Sequence, residues 1–125
     1  MDVAVNQEMV NDAAKLMMHR LVSRNVSRDP SLVERAIVLH ARTAQRYMGR
    51  PFVHEWDELL KLPCAELRAR LTSRDSEMVR LRLSSPFFLA AGIDFTDYEL
   101  RRRIRRAASR VVERGLRLRS RRTAV

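Results

Sequence analysis

The sequence holds one cysteine, three glycines, four prolines and only two lysines among its 125 residues. With Cys64 alone, no intramolecular disulfide can form and a four-ligand cysteine zinc site is excluded. Gly49, Gly92 and Gly115 stand singly, so no glycine-rich phosphate loop can be built. Aromatic residues make up 6% of the chain, and the core must therefore rest on Leu, Val, Ala and Met. The longest uninterrupted apolar run is 87–93, far short of the roughly 20 residues that cross a bilayer. The opening stretch MDVAVNQEMVND is acidic and polar, without the basic start and apolar run of a signal peptide. With the single thiol, these features predict a cytoplasmic protein in a reducing compartment.

What remains is enough for a folded domain. Apolar residues are 46% of the chain, and a chain of this length hides about two-thirds of its unfolded surface. The pattern predicts an all-α, single compact domain of five or six helices over 1–118, followed by a basic, frayed tail over 119–125. A first helix over 6–22 places Met9, Val10, Ala13, Met17 and Leu21 on one face and His19 on the polar side. A capping box of Ser31 and Glu34 opens the second helix. Its apolar face carries Val33, Ala36, Ile37, Ala41, Ala44, Tyr47 and Met48, with His40 in the middle, and Gly49 and Pro51 end it. Short helices are expected over 52–62 and 64–71, with Pro63 between them. The stretch 75–83 alternates in part with period two, but no partner strand is in view, so a helix is favoured. A short apolar turn of helix follows Pro86 and stops at Gly92. A second capping box, Thr96 and Glu99, opens a long Arg-rich C-terminal helix over about 97–118.

Charge carries the functional signal. The 25 basic residues exceed the 15 acidic ones by ten, and all but Lys15 and Lys61 are Arg. Residues 1–99 are balanced, with 14 of each sign, whereas 100–125 hold eleven Arg against the single acid Glu113. A segment so unbalanced repels itself and gains free energy from counterions or an acidic partner. In helical projection, Leu100, Ile104, Ala107, Ala108, Val111, Gly115 and Leu118 fall within an arc of about 100°. Arg102, Arg103, Arg106, Arg110, Arg114, Arg117 and Arg121 occupy the opposite side, with Arg101, Arg105 and Arg119 at the margins. Guanidinium grips phosphate through paired hydrogen bonds, which suits these seven residues to a nucleic-acid backbone, DNA or RNA. An interfacial membrane helix would set Trp, Phe or Leu opposite its cations, and this one sets Ala, Val and Gly there, so no membrane partner is expected.

Two other partner readings stand beside nucleic acid. The same arginines would let an adaptor or inhibitor dock on an acidic protein. Ile104, Ala108, Val111 and Leu118 would form the seam of a homodimer. Trp56, with Phe52 and Leu59 at helical spacing, reads as core, or as an anchor for a partner. Around 63–83 two short helices loosely suggest a helix-turn-helix, with Arg74, Arg80 and Arg82 as its contact residues.

Nothing in the sequence assembles a catalytic set. His54-Glu55 begins like a zinc-protease motif, but the position of its second histidine is Glu58. His40 reads as a core residue, and Cys64 has no base defined by sequence. The expectation is a non-enzymatic, regulatory nucleic-acid-binding protein with no cofactor and no metal.

Overall fold

The computed structural model describes residues 6–90 and 92–123, with side chains through Arg121. Among them are seven α-helices and one 3-10 turn, and no strand. In chain order these are α1 (Gln7–Arg28), α2 (Ser31–Arg46), α3 (Pro51–Leu60), α4 (Cys64–Leu71), α5 (Ser76–Leu81), the 3-10 turn Arg82–Ser84, α6 (Phe87–Ala90) and α7 (Tyr98–Thr123). The helix count exceeds the expected five or six, with the short apolar turn after Pro86 standing as a helix of its own. No helix among the described residues is long and apolar enough to cross a membrane.

The first helix outlasts its expected end at Val22 and reaches Arg28. No Gly or Pro interrupts 23–29, and Val22, Ser23 and Val26 are all buried. Tertiary burial thus outweighs the poor helix propensity of Ser and Asn. The Arg68 Nε of α4 donates to the Ser23 carbonyl at 2.9 Å and to its hydroxyl at 3.2 Å, tying α4 to this added stretch. Asn6 caps the start, its side chain accepting from the Glu8 amide at 2.8 Å.

Neither expected capping box forms. Ahead of α2, Asp29 supplies the oxygen, accepting from the Ser31 amide at 3.2 Å and from the Ser31 hydroxyl. Ahead of α7, Asp97 is the cap and accepts from the Leu100 amide at 3.0 Å, while Asp94 holds the Thr96 amide at 2.9 Å. In both cases a carboxylate next to the hydroxyl residue wins, as the stronger acceptor for free amides at the positive end of a helix. The buried ridge of α2 is also turned from the one expected. Leu32, Ala36 and His40 are inside, while Ile37, Tyr47 and Met48 are exposed. The Nε2 of His40 donates to the Val53 carbonyl (3.0 Å) and Asp57 (2.8 Å), so a polar side chain takes the inward position through two bonds to α3.

The core gathers Trp56, Leu67, Leu71, Met78 and Phe87 against Val10, Val22 and Val26. The Trp56 indole donates to the Leu81 carbonyl and the Ser84 hydroxyl, both at 3.1 Å, which satisfies its one donor inside the core. Arg82 is buried as well. Its Nη1 donates to the carbonyls of Leu71 (3.2 Å) and Ser73 (2.7 Å), closing the end of α4, and its Nε has no partner among the described residues. Burial lowers its pKa below the usual arginine value.

The long helix α7 lies mainly on α1. Its buried residues are Ile104, Ala108 and Val112, flanked by half-buried Leu100 and Leu116. These five step by four, forming a ridge of the kind that packs obliquely into a neighbouring helix. Val111 and Leu118, expected on the apolar seam, are about half exposed (51% and 53%). The helix continues to Thr123, past the expected end near 118, and residues 124–125 lie outside the described residues. Within it Gly115 has open space where a side chain would stand.

Candidate nucleic-acid interface

The 26 residues of α7 extend for about 39 Å. All seven arginines of the proposed face, Arg102, Arg103, Arg106, Arg110, Arg114, Arg117 and Arg121, are exposed. Arg102, Arg103, Arg106, Arg110 and Arg114 form no ion pair with any described residue, and Arg117 meets Glu113 only loosely at 3.5 Å. Unneutralised guanidinium groups at this density raise a strong positive potential along one side of the molecule.

Packing on α1 adds to this surface in two ways that the helical projection misses. First, Arg105 reaches across to α1, donating to Asn11 Oδ1 at 2.9 Å and Gln7 Oε1 at 2.8 Å. Its partners are neutral amides, so its position is fixed and its charge is retained. Arg105 joins Tyr98, Arg101, Arg102, Arg106, Ser109 and Arg110 around an open groove of about 610 Å³. Second, Arg20 and Arg24 of α1 stand beside Arg103 around a smaller hollow of about 270 Å³, floored by Met17, Leu21, Ile104 and Ala107. The four-residue step from Arg20 to Arg24 was the signal in the sequence. What it could not give was the helix pair that brings them to Arg103.

The other sequence-derived candidates do not join this surface. Trp56 is completely buried and offers no anchor to a partner. Ile104 and Ala108 are buried in a helix whose main neighbour is α1, so they are not free to pair with a twin helix. In the suggested helix-turn-helix, Arg74 is exposed, Arg80 is paired with Glu55 and Arg82 is inside. Those three therefore form no common reading face. A hollow of about 630 Å³ between α3, α4 and α5 is lined by Glu55, Glu58, Glu66, Glu77 and Arg70, with His54 at its edge, and Glu55, Glu58 and Glu77 are paired with Arg80, Lys61 and Arg70. Among the described residues no group of three or more His, Cys, Asp or Glu could hold a metal ion.

His19, expected on a solvated face, is instead fully buried. Its Nδ1 lies 2.7 Å from the Lys15 carbonyl, which can only accept, so this nitrogen carries the proton. Nε2 then accepts from the Ser85 hydroxyl at 2.7 Å, and Ser85 Oγ in turn accepts from the Phe87 amide at 3.2 Å. Burial pushes the imidazole pKa down to about 4. The pair resembles a base with its nucleophile, yet Ser85 is buried and its oxygen is engaged at the start of α6, so the bonds join α1 to α6. No known protein family, curated protein or solved structure matches this chain.

Proposed function

We propose that the protein is a non-enzymatic nucleic-acid-binding protein that holds phosphates with the arginines of α7. The observation that carries this reading is the exposed row from Arg102 to Arg121, in which six of the seven guanidinium groups have no carboxylate partner among the described residues. Bare cations at this spacing lower their free energy by meeting a polyanion and releasing its counterions. Arg20, Arg24, Arg101 and Arg105 widen the positive surface toward α1. Contacts of this kind position a nucleic acid without reading its sequence.

The test is the salt dependence of binding to duplex DNA. Seven phosphate contacts predict a slope of log K against log salt near −6, from about −0.9 per contact. Replacing Arg106 and Arg110 with Ala should reduce the slope by about 2 and weaken all sequences alike. An unchanged slope in that double variant removes these two residues from the interface.

A second reading is favoured by Val111 and Leu118, which stand half exposed among the outer arginines. Apolar side chains between cations suit an acidic protein surface better than a phosphate backbone. An adaptor of this kind would show saturable one-to-one binding to a protein and lose affinity on Leu118→Ser, a change that phosphate binding would not register.

A further inference from the structure

Tyr98 is the first residue of α7 and is 73% exposed. Its ring meets no other aromatic ring, and its hydroxyl has no hydrogen bond with a described residue. The cap of α7 is supplied by Asp97, so Tyr98 serves no end-capping role. It does line the α7 groove, together with the stems of the arginines that follow it. Tyr98, Arg102, Arg105 and Ser109 lie in one row, at steps of four, three and four residues, over about 16 Å. Arg106 and Arg110 stand beside the row, and Arg105 is fixed at its α1 side by Gln7 and Asn11.

A flat ring at one end of a row of cations is of little use to a duplex. The bases of a duplex are stacked on one another, and only phosphates and groove edges face outward. A single strand presents both a charged backbone and free base faces. Aromatic rings take up those faces with little regard to sequence, and guanidinium planes stack in the same way. We propose that this groove is a binding site for single-stranded nucleic acid, with an unpaired base stacked on Tyr98 and the phosphates that follow held by Arg102, Arg106 and Arg110. The row accommodates on the order of three to four nucleotides, near the low end of known single-strand sites. This inference rests on the phosphate-binding reading of α7 and specifies the class of nucleic acid that it takes.

The test is fluorescence anisotropy of the full chain with a labelled oligothymidine, a labelled oligouridine and a blunt DNA duplex, at low and physiological salt. The expected result is tighter binding of a single strand than of the duplex at physiological salt. Tyr98→Ala should weaken single-strand binding by about ten- to a hundredfold and leave duplex binding within about twofold, as for the loss of one stacked base. Tyr98→Phe should retain the single-strand affinity, because the ring and not the hydroxyl carries the contact. The two oligonucleotides distinguish DNA from RNA, and preference for either supports the site. Circular dichroism of both variants checks that α7 is intact. Duplex preference in the unaltered protein, or equal losses on all three probes in Tyr98→Ala, would overturn the single-strand site and leave phosphate binding by α7 standing. Single-strand binding that does not change in Tyr98→Ala overturns it in the same way. No binding to any probe at low salt would overturn both readings together.

Discussion

His19 is a neutral imidazole held between two helices, and that has a pH consequence. Its pKa in the fold is about 4, against the ordinary 6.5 of an exposed histidine. Between those values the unfolded chain binds a proton that the folded one refuses. This contribution is therefore complete above about pH 6.5 and declines as pH falls, reaching a loss of roughly 3 kcal/mol near pH 4. Asp75 and Asp94, held below the usual carboxylate range by the hydroxyls of Ser73 and Thr96, act only at more acid pH. Urea unfolding at pH 7 and pH 4.5 should show a steeper fall for the native chain than for His19→Gln; parallel curves would refute the assignment. Arg82 differs from the arginines of α7 in the same physical sense. Arg82→Met leaves two carbonyls at the end of α4 without their donor and should cost about 2 kcal/mol in stability. It should leave the salt slope of binding unchanged, whereas Arg106→Ala should do the reverse.

The pairing of α1 with α7 separates residues that a helical wheel groups together. Ile104→Ala should destabilise the fold by about 2–4 kcal/mol, while Val111→Ala should stay within about 0.5 kcal/mol of the native chain. Thermal or urea unfolding of the two variants measures the difference, and equal losses would restore the ungrouped stripe. Most helices were readable in the sequence, because Pro30, Pro51, Pro63 and Pro86 punctuate it and the apolar steps between them are helical. Which face each helix buries was less readable. On α7 the wheel admitted Val111 and omitted Val112, because the buried residues step by four and so drift around a straight projection by about 40° per step. On α1 it left His19 outside, because an amphipathic count scores imidazole as polar and cannot foresee Ser85 and the Lys15 carbonyl satisfying it.

Charge is distributed unevenly over the molecule: the arginine side of α7 and α1 carries unpaired cations, whereas three of the four glutamates lining the hollow of α3 to α5 are paired with Arg80, Lys61 and Arg70. The arginine region was legible as composition, since the excess of ten charges sits in the last 26 residues. The contribution of Arg20 and Arg24 beside Arg103 was not, because it exists only once α1 and α7 have packed together. Crowded cations on a folded surface oppose its compact state, and screening relieves this within a Debye length of about 10 Å at 0.1 M salt. The free protein should therefore melt at a higher temperature in 150 mM than in 10 mM sodium chloride. A melting point that falls with salt would mean that Arg80–Glu55 and similar pairs dominate the balance.

Gly115 divides α7 between its packed and its outer parts. N-terminal to it, Ile104, Ala108 and Val112 hold the backbone against α1, so the helix that carries the arginines is in place before any ligand arrives. Beyond Leu116 the described side chains are exposed, and helix formation there relies on propensity just past the residue that weakens it most after proline. On the proposed polyanion the inner stretch would dock as a rigid body, whereas the outer one would rely on the helix propensity of its own residues. A methyl group at position 115 meets no neighbour. Gly115→Ala should thus raise stability by about 0.5–1 kcal/mol. It should also tighten polyanion binding with a less unfavourable entropy in calorimetry, without adding a single contact.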